Sequence, residues 1–372
     1  MQYTMADVRR MVGALPRIRP VALPLKGSNG CIIACRDENH IREVAPGIIA
    51  QSAIAPIFVA LGLADHNKKL GDEIGARVLK ISRIHSHLAR ELIVMVGPGT
   101  LRRDVLKLTK AAQAAGRAAF YFSAVPVPES GARPKFLANN GDKILETINH
   151  LADQESVVCY LSRIKSIMTG DSGYQAISDY PQYLHPVVKA EAGDIVCEGG
   201  TGPNATTTRM FSRKVGETGK VYAFEPVGSN FARAAAKTAE HPNIILEKFG
   251  LWSEKGEMEI KIAEQVSTLM DVPKHRDKPT EICQLVSIDS YFANANAKPS
   301  LIKLDIEGAE ENALVGAEQV IKEMRPKLQI CLYHSLYHFL DFPIKFIRQN
   351  YRIYIGHHTP FMNECLMYAV AQ

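Results

Sequence analysis

Carboxylates at the ends of apolar runs, with glycines between them, are the part of this sequence best suited to chemistry. Ile195-Val196-Cys197 runs into Glu198; Gly199-Gly200-Thr201-Gly202-Pro203-Asn204 follows; and Val221-Tyr222-Ala223-Phe224 ends in Glu225-Pro226. An apolar run, a glycine turn, a helix-like segment over residues 206–213 and a second apolar run spell a βαβ unit with its ligand site at the strand ends. Glu225 is placed to accept hydrogen bonds from the hydroxyls of a ribose. The expected ligand is therefore a nucleoside derivative.

Two such ligands compete. Gly200-x-Gly202-x-x-Ala205 fits a loose dinucleotide fingerprint, which leaves an NAD-dependent oxidoreductase as the alternative reading. S-adenosylmethionine has no phosphate and carries a sulfonium and an ammonium instead. Glu198 stands just before the glycines, and two unit charges at about 4 Å and an effective dielectric of about 20 interact by about 4 kcal/mol. That term repels a pyrophosphate and attracts an ammonium, so Glu198, expected to face the crevice, favours S-adenosylmethionine. Gly200, Gly202 and Asn204 are expected to shape the turn around it, Asn204 because it tolerates positive φ. Trp252 is expected to pack against the adenine.

A second cluster suits an acceptor. Leu301-Ile302-Lys303-Leu304 ends in Asp305, with Glu307 and Glu310 after it, and His334 follows another apolar run over residues 327–333. Methyl transfer to an oxygen needs the nucleophile held about 3 Å from the methyl carbon, and a base adds roughly 10² to 10⁴ in rate. Asp305, Glu307 and His334 are the expected catalytic residues, with Asp305 or His334 as the base. Glu310 is expected to complement a helix dipole, and His338, His357 and His358 to lie at the surface or in the acceptor pocket. The carboxylates would admit a divalent cation, but no metal is assigned.

These residues need elements to hold them. At 372 residues the chain exceeds one ordinary core. Strand-like runs at residues 31–35, 55–63, 91–96 and 118–122 alternate with helical stretches, which predicts a small parallel α/β domain over residues 1–138. Gly97-Pro98-Gly99-Thr100 reads as a turn before a helix over 101–113. Residues 136–140 read as a loop tip, and one long helix over 142–168 is expected to form a helical linker, 139–185. Residues 186–372 then read as an α/β domain. In it Ser229 is expected to cap a helix, residues 285–292 to be strand-like, and 364–370 to close the sheet antiparallel.

With 46% hydrophobic and 22% charged residues and a net charge of +5, neither disorder nor a nucleic-acid partner is expected. The longest apolar stretch, around residues 53–64, is broken by Pro56 and too short for a membrane span. No secretory signal is read at the start. Seven cysteines without a C-x-x-C pair read as small core residues, and a cytoplasmic location is expected.

The second half resembles the FkbM family of methyltransferases. The resemblance rests on Val221-Tyr222-Ala223-Phe224-Glu225-Pro226, on Ser287-Ile288-Asp289-Ser290-Tyr291, on Lys303-Leu304-Asp305-Ile306-Glu307-Gly308-Ala309-Glu310, on Arg325-Pro326-Lys327-Leu328, and on Tyr333-His334 with Asp341-Phe342-Pro343 after it. Glu198 stands where that family usually has Asp, and Asn204 where it usually has the loop's last Gly. The layout of the first part, with residues 64–79, resembles a Rossmann-like domain found ahead of some members. The resemblance implies an α/β fold: a class I methyltransferase Rossmann-like sheet at the C-terminal end and a second, smaller Rossmann-like α/β domain before it. It further implies S-adenosylmethionine as cofactor and O-methylation of a hydroxyl on a saccharide or a related small molecule. A catalytically inactive binding protein on the same fold is the remaining alternative. The N-terminal domain leaves room for a homo-oligomer or a protein partner.

Overall fold

Thr4 and Asp7 start the first helix by exchanging hydrogen bonds, each side chain accepting from the other's backbone N–H in a capping box. That helix is α1 (Met5–Ala14). The computed structural model describes residues 2–15, 31–35, 57–60, 68–80, 91–95, 120–122, 133–170, 174–262, 279–359 and 363–372, with positions 38, 41, 42 and 45.

The apolar runs that follow form β1 (Cys31–Cys35), β2 (Ile57–Ala60), β3 (Arg77–Lys80), β4 (Glu91–Met95) and β5 (Phe120–Phe122), with α2 (Lys68–Ile74) ahead of β3. All pairings are parallel and the order is β3-β2-β1-β4-β5. This is the strand order of a Rossmann sheet. β3 begins within residues 64–79, where the sequence reading had no strand. The turn Gly97-Pro98-Gly99-Thr100 and the helix over 101–113 lie outside the described residues.

The long helix expected over 142–168 is two helices, α4 (Gly141–His150) and α5 (Gln154–Thr169), after a short α3 (Phe136–Asn139) where a loop tip was expected. The break has a local cause. Leu151 turns extended and bridges Ile353, Ala152 donates its N–H to the Ile353 carbonyl at 2.9 Å, and Asp153 caps α5 by accepting from Ser156 N at 2.8 Å. Nor is this region a linker. Ile144, Ile148, Val157, Leu161 and Ile164 are buried in one cluster with Val8 and Val12 of α1 and with sheet residues Ile302, Leu328 and Ile353. Tyr3 and Asn149 exchange two further hydrogen bonds. By packing, α1 and residues 133–170 belong to the C-terminal body.

That body holds β6 (Ile195–Gly199), α6 (Thr206–Val215), β7 (Lys220–Phe224), α7 (Gly228–Thr238), β8 (Ile244–Glu247), β9 (Gly250–Leu251), β10 (Gly256–Lys261), β11 (Thr280–Val286), α8 (Ile288–Ala295), β12 (Leu301–Leu304), α9 (Glu310–Val315), α10 (Glu318–Met324), β13 (Lys327–Cys331), α11 (Leu336–Arg348), β14 (Tyr351–His357) and β15 (Cys365–Ala371). Seven strands run β14-β15-β13-β12-β6-β7-β8, and β15 alone lies antiparallel to its neighbours. The closing strand is therefore as expected, while β14 beyond it was not foreseen. β9, β10 and β11 form a separate three-stranded sheet.

Two details correct the sequence reading. Residues 285–292 split at Ser287, which caps α8 by accepting from Ser290 N, while Asp289 accepts from Gln319 N and Val320 N at the start of α10. Ser229 is no cap: α7 begins at Gly228, whose N–H is taken by the Glu281 carboxylate of β11. Both are polar side chains serving helix N–H groups that would otherwise lack partners. The five cysteines whose side chains are described, Cys159, Cys197, Cys283, Cys331 and Cys365, are buried and free.

Candidate active site

β6 and β7 are adjacent and parallel, so their tips and the turn between them form one wall of a crevice at the carboxyl end of the sheet. Its lining includes Gly199, Gly200, Gly202, Phe224, Glu225, Leu251, Asp305 and Glu307, and it encloses about 860 Å³ counting its open mouth. Gly200 has φ +80° and approaches β12 so closely that a Cβ would stand 1.9 Å from the Asp305 carbonyl oxygen, so only glycine fits. Gly202, at φ +66°, donates its N–H to Glu225 Oε2 at 2.8 Å.

Glu225 is 5% exposed. Its other oxygen accepts from Val227 N at 3.1 Å and from Asn230 Nδ2 at 3.5 Å. Burial raises its pKa and these donors oppose the rise. The carboxylate is thus fixed in place at the strand tip, with lone pairs left to accept from a ligand.

Glu198 is not where the sequence reading put it. It is fully buried and absent from the crevice lining. The register that pairs Glu198 with Lys303 across β6 and β12 explains this: Lys303 Nζ lies 3.7 Å from Glu198 Oε1 and donates to the carbonyls of Gly199 at 3.0 Å and Gly200 at 2.8 Å. Burial pushes the Glu198 carboxyl up and Lys303 pulls it back. The pair is a buried strut beneath the glycine turn, not a ligand for a cation. A lysine inside the apolar run Leu301-Ile302-Lys303-Leu304 was the signal, because a buried lysine must find a partner.

Asn204 and Trp252 also move. Asn204 is exposed and outside the crevice lining, and the non-glycine residue of this turn with positive φ is Ala205, at φ 44°. Trp252 packs against the cluster of Val227, Ile260, Cys283 and Leu285. The apolar wall of the crevice is made instead by Phe249, Leu251, Val227 and Ile260.

At the tip of β12, Asp305 accepts from Tyr183 Oη at 2.8 Å and from Tyr333 Oη at 2.9 Å. Burial alone would raise its pKa. Lys303, His334 and the two hydroxyls outweigh that and hold it below the ordinary carboxylate value. Glu307 follows in the lining at φ 55°, a strained conformation of the kind found at functional sites.

His334 sits behind this pair and does not line the crevice. Its Nδ1 is 2.8 Å from Glu310 Oε1, and its Nε2 is 3.3 Å from Glu307 Oε2 and 3.8 Å from Asp305 Oδ1. Burial lowers its pKa, but Glu307, Glu310 and Asp305 raise it further, to about 10. Held between Glu310, Glu307 and Asp305, His334 is placed to clamp these carboxylates. Glu310, at the start of α9, is fully buried, and its carboxylate holds both Ile306 N and His334, a larger part than easing a helix dipole. Asp305, Glu310 and His334 bring ligating atoms within 4.8 Å of one another, and the His334 proton supplies positive charge there.

His338, His357 and His358 are buried, not superficial. Tyr183 and Glu364 were not singled out by the sequence reading. Tyr183 lies far from the motifs in sequence, and Glu364 was taken only for the start of the last strand.

A seven-stranded sheet with this order, a glycine turn against β12 and acidic strand tips around one crevice define the class I methyltransferase fold. Residues 188–365 match the model of the methyltransferase FkbM domain. This part of the chain belongs to the FkbM methyltransferase family. The chain is also similar to the crystal structure of methyltransferase FkbM from Methylobacillus flagellatus KT, with a TM-score of 0.57 at 17% identity over 98% of this chain and 99% of that one, a likeness of fold. Aeropyrum pernix fibrillarin with natively bound S-adenosyl-L-methionine matches at a TM-score of 0.33 and 12% identity, over 48% of this chain and 67% of that one. No curated protein matches the chain.

Proposed function

We propose that this methyltransferase uses S-adenosylmethionine to methylate a hydroxyl oxygen, with a saccharide or related small molecule as acceptor. The observation that carries the reading is the charge of the crevice. Glu225, Asp305 and Glu307 line it, and no lysine or arginine does among the described residues. The nearest buried cation, Lys303, is consumed by the Gly199 and Gly200 carbonyls and by Glu198. At an effective dielectric of about 20, each carboxylate within about 4 Å of a sulfonium contributes about 4 kcal/mol of gross attraction, and as much repulsion to a pyrophosphate.

In this reading Glu225 takes the ribose hydroxyls, Gly200 and Gly202 let the backbone approach the donor, and Asp305 and Glu307 receive the acceptor. The hydroxyl-rich acceptor class accords with two carboxylates at the mouth, which accept hydrogen bonds readily. The parallel sheet β1–β5 is proposed as a separate domain, with a partner-binding role and no nucleic acid or membrane involved. Among the described residues no helix is long and apolar enough to cross a membrane, which is compatible with the cytoplasmic location we propose.

The test is transfer of labelled methyl from S-adenosylmethionine to a panel of methyl glycosides, with amines and thiols as controls. O-methyl products are expected. Donor binding with no product in any class would favour a binding protein on this fold. The oxidoreductase alternative retains one observation, that Gly200, Gly202 and Ala205 do form the turn at the head of α6.

A further inference from the structure

In the transfer proposed above, His334 is held among three carboxylates and Asp305 is engaged by two hydroxyls, which leaves the base to be placed. Another carboxylate, Glu364, stands at the same end of the sheet, near Asp305 and outside the lining of the donor crevice. Because β15 runs antiparallel to β13, with Cys331 opposite Leu366 and Leu332 N donating to the Cys365 carbonyl at 2.8 Å, the next residues outward, Tyr333 and Glu364, meet at the same edge of the sheet. Tyr333 is one of the two residues whose hydroxyls hold Asp305. Two adjacent residues tie the two carboxylates together: the Gln182 amide donates to Glu364 Oε2, and the Tyr183 hydroxyl donates to Asp305 Oδ2 at 2.8 Å.

Both ends of this arrangement are strained. Tyr183 has φ 64° and Glu364 has φ 62°. Each such non-glycine residue costs on the order of 1–3 kcal/mol and persists where the surroundings over-determine it, commonly at functional sites.

We propose that Glu364 is the general base of the transfer, taking the proton of the reacting hydroxyl while Asp305 stays ionised and accepts a hydrogen bond from a second hydroxyl of the acceptor. The inference rests on the methyltransferase reading. In the step, the acceptor oxygen attacks the methyl carbon and an O–C bond forms. The S–C bond breaks with its electron pair going to sulfur, which leaves as a neutral thioether. The hydroxyl proton passes to the Glu364 carboxylate and then, because Glu364 is only partly buried, to water.

The surroundings separate the two carboxyls as acid-base pairs require. Burial and then the charge of Asp305 push Glu364 up to about 7, against Gln182, His334 and Lys303, which pull it down. Asp305 takes the stronger share of donors and is lowered. A carboxyl that titrates near the working pH combines a useful ionised fraction with useful basicity.

The test uses the full chain saturated with S-adenosylhomocysteine. Infrared titration should give a protonated-carboxyl band that fades with a midpoint near 7 and is missing in E364Q. S-adenosylhomocysteine affinity should stay within about twofold in E364Q. Methyl transfer to the glycoside panel should fall by about 10² or more and lose its rise with pH through neutrality, with E364D retaining more than E364Q. Should E364Q fail to fold, E364D must instead shift the band. A Glu364 carboxyl already ionised at about pH 5, or an E364Q rate within about threefold of the parent, would overturn the assignment. If the parent chain methylates no glycoside, the acceptor class is wrong; the comparison of E364Q with the parent is then made on simple alcohols and phenols, and failure to methylate any of these overturns the base assignment together with the transfer.

Discussion

Three carboxylates share the crevice, and the groups around each give it a different task. Glu225 is braced by backbone N–H groups on both oxygens, which fixes it as an acceptor for ribose hydroxyls. Glu225→Ala should weaken S-adenosylhomocysteine binding more than about tenfold, a loss of about 1.4 kcal/mol, and an unchanged dissociation constant in calorimetry would remove the ribose role. His334 gives a prediction about stability. Its pKa is raised in the folded chain from 6.5 to about 10, so the stability it contributes is whole below about pH 6.5 and is lost as pH rises through about 10. Between those values the parent should lose more resistance to urea than His334→Gln does, by at least about 1 kcal/mol. Parallel pH dependences of the two would mean that the imidazolium is not clamped.

At the scale of elements, the glycine turn is held from below by β12. Gly200→Ala would drive a Cβ to 1.9 Å from the Asp305 carbonyl, and the turn would have to leave β12. We expect a loss of several kcal/mol in stability together with loss of donor binding, read by thermal unfolding with and without S-adenosylhomocysteine. Lys303→Met should cost about 3–5 kcal/mol by leaving Glu198 buried without its partner, and Glu198→Gln in the same chain should restore part of it. No recovery would mean that the pair is not coupled. The βαβ unit, the acidic tips at Glu225 and Asp305 and the antiparallel closing strand were legible in the sequence, because apolar runs bounded by glycine and carboxylate are local patterns. What was not legible depended on register. Glu198 meets Lys303 only because β6 and β12 are neighbours, and Glu364 reaches the mouth only because β15 runs backwards beside β13. Trp252 was misplaced for the same reason: its neighbours come from β10 and β11, whose separate sheet the sequence did not suggest.

For the whole molecule, the boundary between the two halves is not a simple cut in the chain. α1 precedes the N-terminal sheet yet buries Val8 and Val12 in the methyltransferase core, at about 2 kcal/mol for each valine. Removal of residues 1–15 should therefore lower the stability of the C-terminal body by a few kcal/mol, measured by urea unfolding followed at Trp252, whereas a free-standing N-terminal domain would predict no change there. Periodicity alone suggested a helical linker at residues 139–185; its burial against β14 and α11 could not be read without the partners. The account as a whole depends on a crevice suited to a cationic adenosyl donor. Calorimetric titration of the full chain with S-adenosylhomocysteine and, separately, with NAD tests this most directly. We predict saturable binding of S-adenosylhomocysteine and none of NAD; saturable binding of NAD with none of S-adenosylhomocysteine would contradict it.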